Sequence, residues 1–282
     1  GTDAVWMMNN GTDVADLIVC RVDGPVKVIF DKDSTLAVYD AIDVTITDRA
    51  DAFEETEVIF YDVSGILDEQ EKVNTLLTHI QAYLYQKKEW SPYQEGAFAP
   101  ALCNRIDRNT GGIVIAAKTA EGLRVMNQKI RDRELKKYYL CIVHGTLPRP
   151  AGRLEGYILK DEAKKQVTVS SRPRPGAKTA VTLYETLAVR NGLSLVRCQL
   201  ITGRTHQIRA QFAAAGHPLL GDGKYGSERQ NKRYGRSYQA LYSYRLEFCF
   251  TTDAGALAPL DGQQFQVEQV DFVTEYFPGF SL

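Results

Sequence analysis

An aspartate stands between two arginines in Arg105-Ile106-Asp107-Arg108, and the chain then runs through Asn109-Thr110-Gly111-Gly112 into the apolar stretch Ile113-Val114-Ile115-Ala116-Ala117. Flanking guanidinium groups favour the ionised carboxylate, so Asp107 suits a nucleophile or a base better than a proton donor. An isolated Arg-x-Asp-Arg string is more often a surface ion pair than a site, so other segments must decide. Three do. Lys137-Tyr138-Tyr139-Leu140-Cys141-Ile142-Val143-His144-Gly145 offers a tyrosine on an alternating strand. Thr202-Gly203-Arg204-Thr205-His206-Gln207-Ile208-Arg209 sets two arginines and a histidine at the head of a short helix. Gly216-His217-Pro218-Leu219-Leu220-Gly221-Asp222-Gly223-Lys224-Tyr225-Gly226 follows as a glycine-rich loop.

In that order the four segments resemble the pseudouridine synthases of the RluA family. Members carry His-Arg-Leu-Asp-Arg-x-Thr-Ser-Gly, then Lys-x-Tyr-x-Ala-x-Val-x-Gly, then Thr-Gly-Arg-x-His-Gln-Ile/Leu-Arg, then Gly-His-Pro-Ile/Leu-x-Gly-Asp. The likeness covers about residues 73 to 260. It implies an RNA-modifying isomerase of the pseudouridine synthase fold that extrudes a uridine from structured RNA into a pocket. Large-subunit ribosomal RNA is the favoured substrate, with transfer RNA next. The resemblance assigns Asp107 as the catalytic carboxylate, Tyr139 as the ring that stacks on uracil and Arg209 as the arginine that pairs with the aspartate. Arg105 maps onto the arginine that enters RNA as the base leaves, and Arg108 joins it in substrate binding. Arg204 is expected on phosphate, with His206 as a supporting residue on Arg209's helix face. Leu241 is an apolar backstop. Asn104, Gly112 and Tyr242 replace the usual histidine, serine and histidine. No cofactor and no metal are required.

Two other functions fit parts of the chain. An RNA-binding or ribosome-assembly protein of the same fold would have lost activity, which the intact Asp107, Tyr139 and Arg209 oppose. An aspartate-dependent glycosidase would need a second carboxylate beside the first, and none stands out.

The elements that must hold these residues are legible from periodicity. Leu76, Leu77, Ile80, Tyr83 and Leu84 predict a helix over about 75–86. Ile113 to Ala117 predicts a buried strand. Thr119 is an N-cap candidate for a helix with Leu123, Met126 and Ile130 towards the core. In the strand 137–144, Tyr139, Cys141 and Val143 share one face and Tyr138, Leu140 and Ile142 the other. Strands 179–189 and 193–200 flank Arg190-Asn191-Gly192, a hairpin signal. A helix over 205–215 closes at Gly216. Residues 160–178 read as an exposed basic loop or hairpin. Hairpin links without a βαβ rhythm predict an α+β fold with a largely antiparallel mixed sheet flanked by helices and loops.

The chain of 282 residues is 44% hydrophobic and carries a net charge of −1. That near-neutrality hides a division. Residues 1–75 hold 17 acidic and 5 basic side chains, residues 118–178 hold 6 and 15, and residues 204–236 hold 2 and 7. Basic charge is thus concentrated in the motif-bearing part, as a phosphate-binding footprint requires. Five scattered cysteines without a Cys-x-x-Cys pair argue against a disulfide framework or a zinc site and fit a reducing compartment. No apolar run approaches the roughly 20 residues that span a bilayer. Gly1-Thr2-Asp3 is unlike the start of a signal peptide. A cytoplasmic monomer is expected.

Residues 1–57 are expected to form an acidic N-terminal segment and 58–282 the catalytic domain. Family members often carry an S4-type RNA-binding module at the N-terminus. Tyr39 to Ile46 resembles its closing strand, although the acidic charge departs from it. A strand over 58–62 is followed by Val63-Ser64-Gly65-Ile66-Leu67, where the family has Asn/Asp-Lys-Pro-x-Gly.

Overall fold

A computed structural model describes residues 3–8, 17–22, 44–48, 76–94, 96–161 and 166–282, with only the backbone path for the first three stretches. The expected boundary at 57, the strand over 58–62 and the departure at 63–67 lie outside the described residues. Residues group into two compact units, Gly1–Leu135 with Phe248–Gln263, and Lys136–Glu247 with Gln264–Leu282.

In the first unit, β1 (Asp3–Met8) pairs antiparallel with β2 (Leu17–Val22) and parallel with β3 (Val44–Asp48). The helix α1 (Leu76–Gln86) forms where predicted and buries Leu76, Ile80, Tyr83 and Leu84. The two-residue β4 (Ala101–Leu102) and β2 both pair antiparallel with β5 (Gly111–Ala117). From Ile113 onwards every residue of β5 is buried, which is why its sequence is a continuous apolar run with no alternation. Thr119 caps α2 (Ala120–Arg131) by accepting the Gly122 N–H at 3.0 Å.

The core face of α2 differs from expectation. Gly122, Val125, Met126 and Lys129 are buried, while Leu123 and Ile130 are half-buried. A hydrophobic stripe cannot reveal an inward lysine. Lys129 is buried because its ammonium donates to Glu134 Oε2 (2.7 Å), Thr252 O (2.6 Å) and Thr252 Oγ1 (2.8 Å) and lies over the Phe250 ring. Three acceptors for three protons make burial of the charge tolerable.

In the second unit the strand order is β11-β6-β10-β9-β7-β8, with β12 paired to β11. The strands are β6 (Leu135–His144), β7 (Ala151–Asp161), β8 (Gln166–Ser170), β9 (Lys178–Arg190), β10 (Leu193–Leu200), β11 (Leu241–Phe248) and β12 (Gln264–Gln266). Pairings of β6 with β10, β10 with β9, β9 with β7, β7 with β8 and β11 with β12 are antiparallel. The β9–β10 turn has positive φ at both Asn191 and Gly192, the geometry that a two-residue type I′ hairpin demands. The basic stretch 160–178 contains the end of β7, β8 and the exposed Arg172 and Arg174. Three α-helices, α3 (Gln207–Ala214), α4 (Glu228–Tyr234) and α5 (Asp271–Tyr276), and a 3-10 turn over Gly255–Leu260 complete the described elements. The architecture is α+β with a mixed, mostly antiparallel sheet, as expected.

Candidate active site

Asp107 opens a tight turn. The Thr110 N–H donates to the Asp107 carbonyl (3.0 Å), and Asn109 sits at φ +62, a conformation that asparagine tolerates better than most residues. Asp107 is half-buried, and Arg105 and Arg108 are exposed on either side of the buried Ile106. Asn104 anchors the preceding loop, since its Oδ1 accepts the Ile115 N–H at 2.7 Å while the Cys103 N–H donates to Ile115 O at 2.7 Å. Asn104 therefore ties the aspartate loop to the middle of β5. Burial pushes the neighbouring Cys103 thiol up to about 12, so it stays protonated and unreactive.

Strand β6 sorts its two tyrosines to opposite faces. Tyr139 is 7% exposed and lies in an apolar cluster with Cys141, Val143, Val196, Ile208 and Leu241. The two residues assigned to the uracil, Tyr139 and Leu241, thus belong to one apolar cluster. Tyr138 stacks under the Arg245 guanidinium (5.0 Å) on the other face, where burial and the Glu247 carboxylate raise its phenol pKa. Cys141 and Cys198 are small core residues with sulfurs 3.7 Å apart.

The loop before α3 is held by side-chain amides. Gln207 Oε1 accepts from Thr202 Oγ1 (2.7 Å) and the Arg204 N–H (3.0 Å), while its Nε2 donates to Val181 O (3.0 Å) and Thr182 Oγ1 (2.8 Å). Thr182 donates to Gln211 Oε1 (2.7 Å), and Gln211 Nε2 reaches Leu154 O and Ala180 O. With every amide proton used, the buried network fixes the loop rigidly. Arg204 is directed outward, its Nε donating to Thr179 O at 3.0 Å.

The helix begins at Gln207, two residues later than expected. His206 precedes it in the left-handed region (φ +51), so helical spacing does not relate it to Arg209. Tyr225 joins them instead. Its hydroxyl meets His206 Nδ1 at 2.8 Å and accepts the Val167 N–H at 3.0 Å, and its ring lies 5.3 Å from the Arg209 guanidinium.

Arg209 is 6% exposed, and one edge of its guanidinium is engaged by Asp222: Nε to Oδ2 at 2.7 Å and Nη2 to Oδ1 at 3.0 Å. Asp222 Oδ1 also accepts the Lys224 N–H (2.8 Å) and the Tyr225 N–H (3.1 Å). Burial opposes ionisation of Asp222, but the Arg209 fork and the two amides outweigh it and hold the carboxyl below its usual range. Gly221 permits this turn, at φ +79 with the Tyr238 carbonyl 1.9 Å from where a Cβ would stand. The Gly-Asp pair was visible in the sequence, but Asp222 as the partner of Arg209 and Tyr225 as the bridge were not. Thr182 and Gln211 carried no motif signal at all.

The family described as RNA pseudouridylate synthase matches residues 69–214, just over half the chain. An uncharacterized RNA pseudouridine synthase of Mycoplasma genitalium is 33% identical over 204 residues, covering 70% of this chain and 62% of that protein. Ribosomal large subunit pseudouridine synthase D of Borreliella burgdorferi is 32% identical over 175 residues, covering 62% of this chain and 51% of the relative. The chain thus spans about half to three-fifths of these relatives' length. The structure of human RNA pseudouridylate synthase domain containing 4 shares the fold, with a TM-score of 0.53 and 18% identity over 82% of this chain and 80% of that one. This chain belongs to the RNA pseudouridylate synthase family.

Proposed function

We propose that the protein isomerises uridine to pseudouridine in structured RNA, with large-subunit ribosomal RNA the favoured substrate and transfer RNA the next. The observation that carries this reading is the retention of Asp107 in its pinned turn within a chain of this family. The reaction breaks the bond between uracil N1 and ribose C1′, turns the base, and rejoins it through C5. Bond balance is internal, so neither redox partner nor external reagent is consumed. The nucleotide must leave the helix to be reached. Asp107 acts either by adding covalently to ribose or uracil or by removing a ribose proton. Tyr139 stacks on the detached base with Leu241 behind it, and Arg209 orients the carboxylate.

Exposed Arg105 and Arg108 on the aspartate loop, and Lys160, Arg172, Arg174, Lys178 and Lys224 in the second unit, supply charge for phosphates. His206 supports the arginine loop through Tyr225 rather than joining the chemistry. Incubating the protein with unmodified ribosomal and transfer RNA transcripts and measuring pseudouridine tests the activity. Mapping pseudouridines in RNA from cells with and without the gene tests the target. Loss of a site only in transfer RNA would reverse the substrate order.

A further inference from the structure

Among the described residues the two buried lysines are paired. Lys118 meets Glu89, and Lys129 has Glu134 and Thr252. Lys137 is half-buried, yet among the described residues no hydrogen bond or ion pair reaches its ammonium. Burial acts on it unopposed and lowers its pKa from the ordinary lysine range. An ammonium stripped of water without a partner destabilises the fold. Such a group persists where a partner arrives with the substrate.

Its position indicates which partner. Lys137 is two residues before Tyr139 on β6 and so shares its strand face. Across the sheet Tyr139 pairs with Cys198 and Lys137 with Leu200, the last residue before the loop that carries Arg204 and leads to Arg209. Leu200 packs against the apolar cluster that holds Tyr139. Lys137 therefore stands on the tyrosine's side, towards the loop end of the strand. On the reading above, the base stacked on Tyr139 becomes negative. When the N1–C1′ bond breaks, its electron pair stays on uracil, and the charge spreads over N1 and the carbonyl oxygens. Closure of the C5–C1′ bond consumes that charge, after which C5 loses a proton and N1 gains one.

We propose that the Lys137 ammonium stabilises the uracil anion between cleavage and rejoining, acting from the face of β6 that carries Tyr139. This rests on the proposed isomerase activity and adds a charge-stabilising residue to it. A cation that strengthens its interaction as charge develops lowers the barrier without tightening substrate binding.

The test uses the full chain in excess over an unmodified ribosomal RNA transcript, in single turnover, with wild type, Lys137→Met and Lys137→Arg. The methionine keeps the apolar stem and removes the charge. Expected for it are a rate about 100-fold lower or less, the scale of losing one preorganised group, with RNA affinity within threefold of wild type. It should also unfold at a higher temperature, because a partnerless cation is gone, whereas a lysine needed only for packing gives the opposite shift. Wild type should lose rate as alkaline pH neutralises Lys137, and the variant should lack that limb. Lys137→Arg should keep at least a tenth of the wild-type rate. Methionine at wild-type rate, or arginine as slow as methionine, overturns the role of Lys137 while leaving the isomerase reading intact. A wild type that forms no pseudouridine in ribosomal or transfer RNA overturns both.

Discussion

Exchanging one carboxylate oxygen of Asp107 for an amide is the smallest change that removes its charge and keeps its shape. Asp107→Asn should abolish isomerisation and leave RNA affinity within a few fold, because phosphate contacts supply most of the binding. Turnover surviving at a tenth of the wild-type rate, measured by pseudouridine formed within a transcript, would remove Asp107 from the chemistry. Arg209 is a different kind of residue. Its fork is held by Asp222 at 2.7 and 3.0 Å in a fully buried setting, and a lysine cannot reproduce that planar pairing. Arg209→Lys should therefore cost about 1.5–3 kcal/mol in stability, the worth of a charge-assisted hydrogen bond, and about 100-fold or more in rate. Arg204→Gln should instead weaken RNA binding and lower its salt slope by about 1, as for one phosphate contact. Denaturation, turnover and salt-titrated binding on the two variants separate these roles, and a reversal would mean they are exchanged.

Between the elements α2 and β6, the pair Lys129–Glu134 makes a pH-sensitive latch on the first unit. The Lys129 ammonium, then the Thr251 and Thr252 hydroxyls, hold the Glu134 carboxyl at about 2 against an ordinary 4.5. A depressed carboxyl contributes stability that is fully present above its unfolded pKa and lost as pH falls towards the folded one. Unfolding midpoints should thus fall between about pH 4.5 and pH 2, and Glu134→Gln should remove that part of the slope. Parallel acid titrations of the two proteins that superimpose over this window would show the pair to be inert. The same segment shows why α2 turned from its expected face. Leu123 and Ile130 marked an apolar stripe, but Lys129 finds three acceptors inside, and a satisfied ammonium can be buried beside Met126.

For the whole molecule, on the proposed activity, the division of charge indicates where RNA would be held. With 17 acidic against 5 basic residues before position 76, the N-terminal part repels phosphate, although salt screens this beyond roughly 8 Å. The basic stretch around β8 is the better grip. Lys164 and Lys165, its densest pair in the sequence, lie outside the described residues, but Arg172 and Arg174 are exposed. Replacing both by Glu should weaken RNA binding, at fixed ionic strength, at least as much as the same change at Arg21 and Lys27. If Arg21 and Lys27 proved critical and Arg172 and Arg174 did not, the acidic segment would be the RNA-binding module.

Local pattern by itself determined much of this protein. The helix from Leu76, the buried β5, the alternation that parts Tyr139 from Tyr138, the Asn191-Gly192 hairpin and the Thr119 cap all follow from side-chain period, turn chemistry and capping. These are short-range physics, written within a few residues. The motif order likewise indicated the family. Only the tertiary structure decided which polar groups meet. Arg209 with Asp222, Thr182 with Gln207 and Gln211, His206 with Tyr225, and Lys129 with Thr252 join positions from different elements. Burial of a polar side chain depends on whether a partner converges on it in space. No spacing along the chain encodes that convergence, and among the described residues none converges on the half-buried Lys137 ammonium.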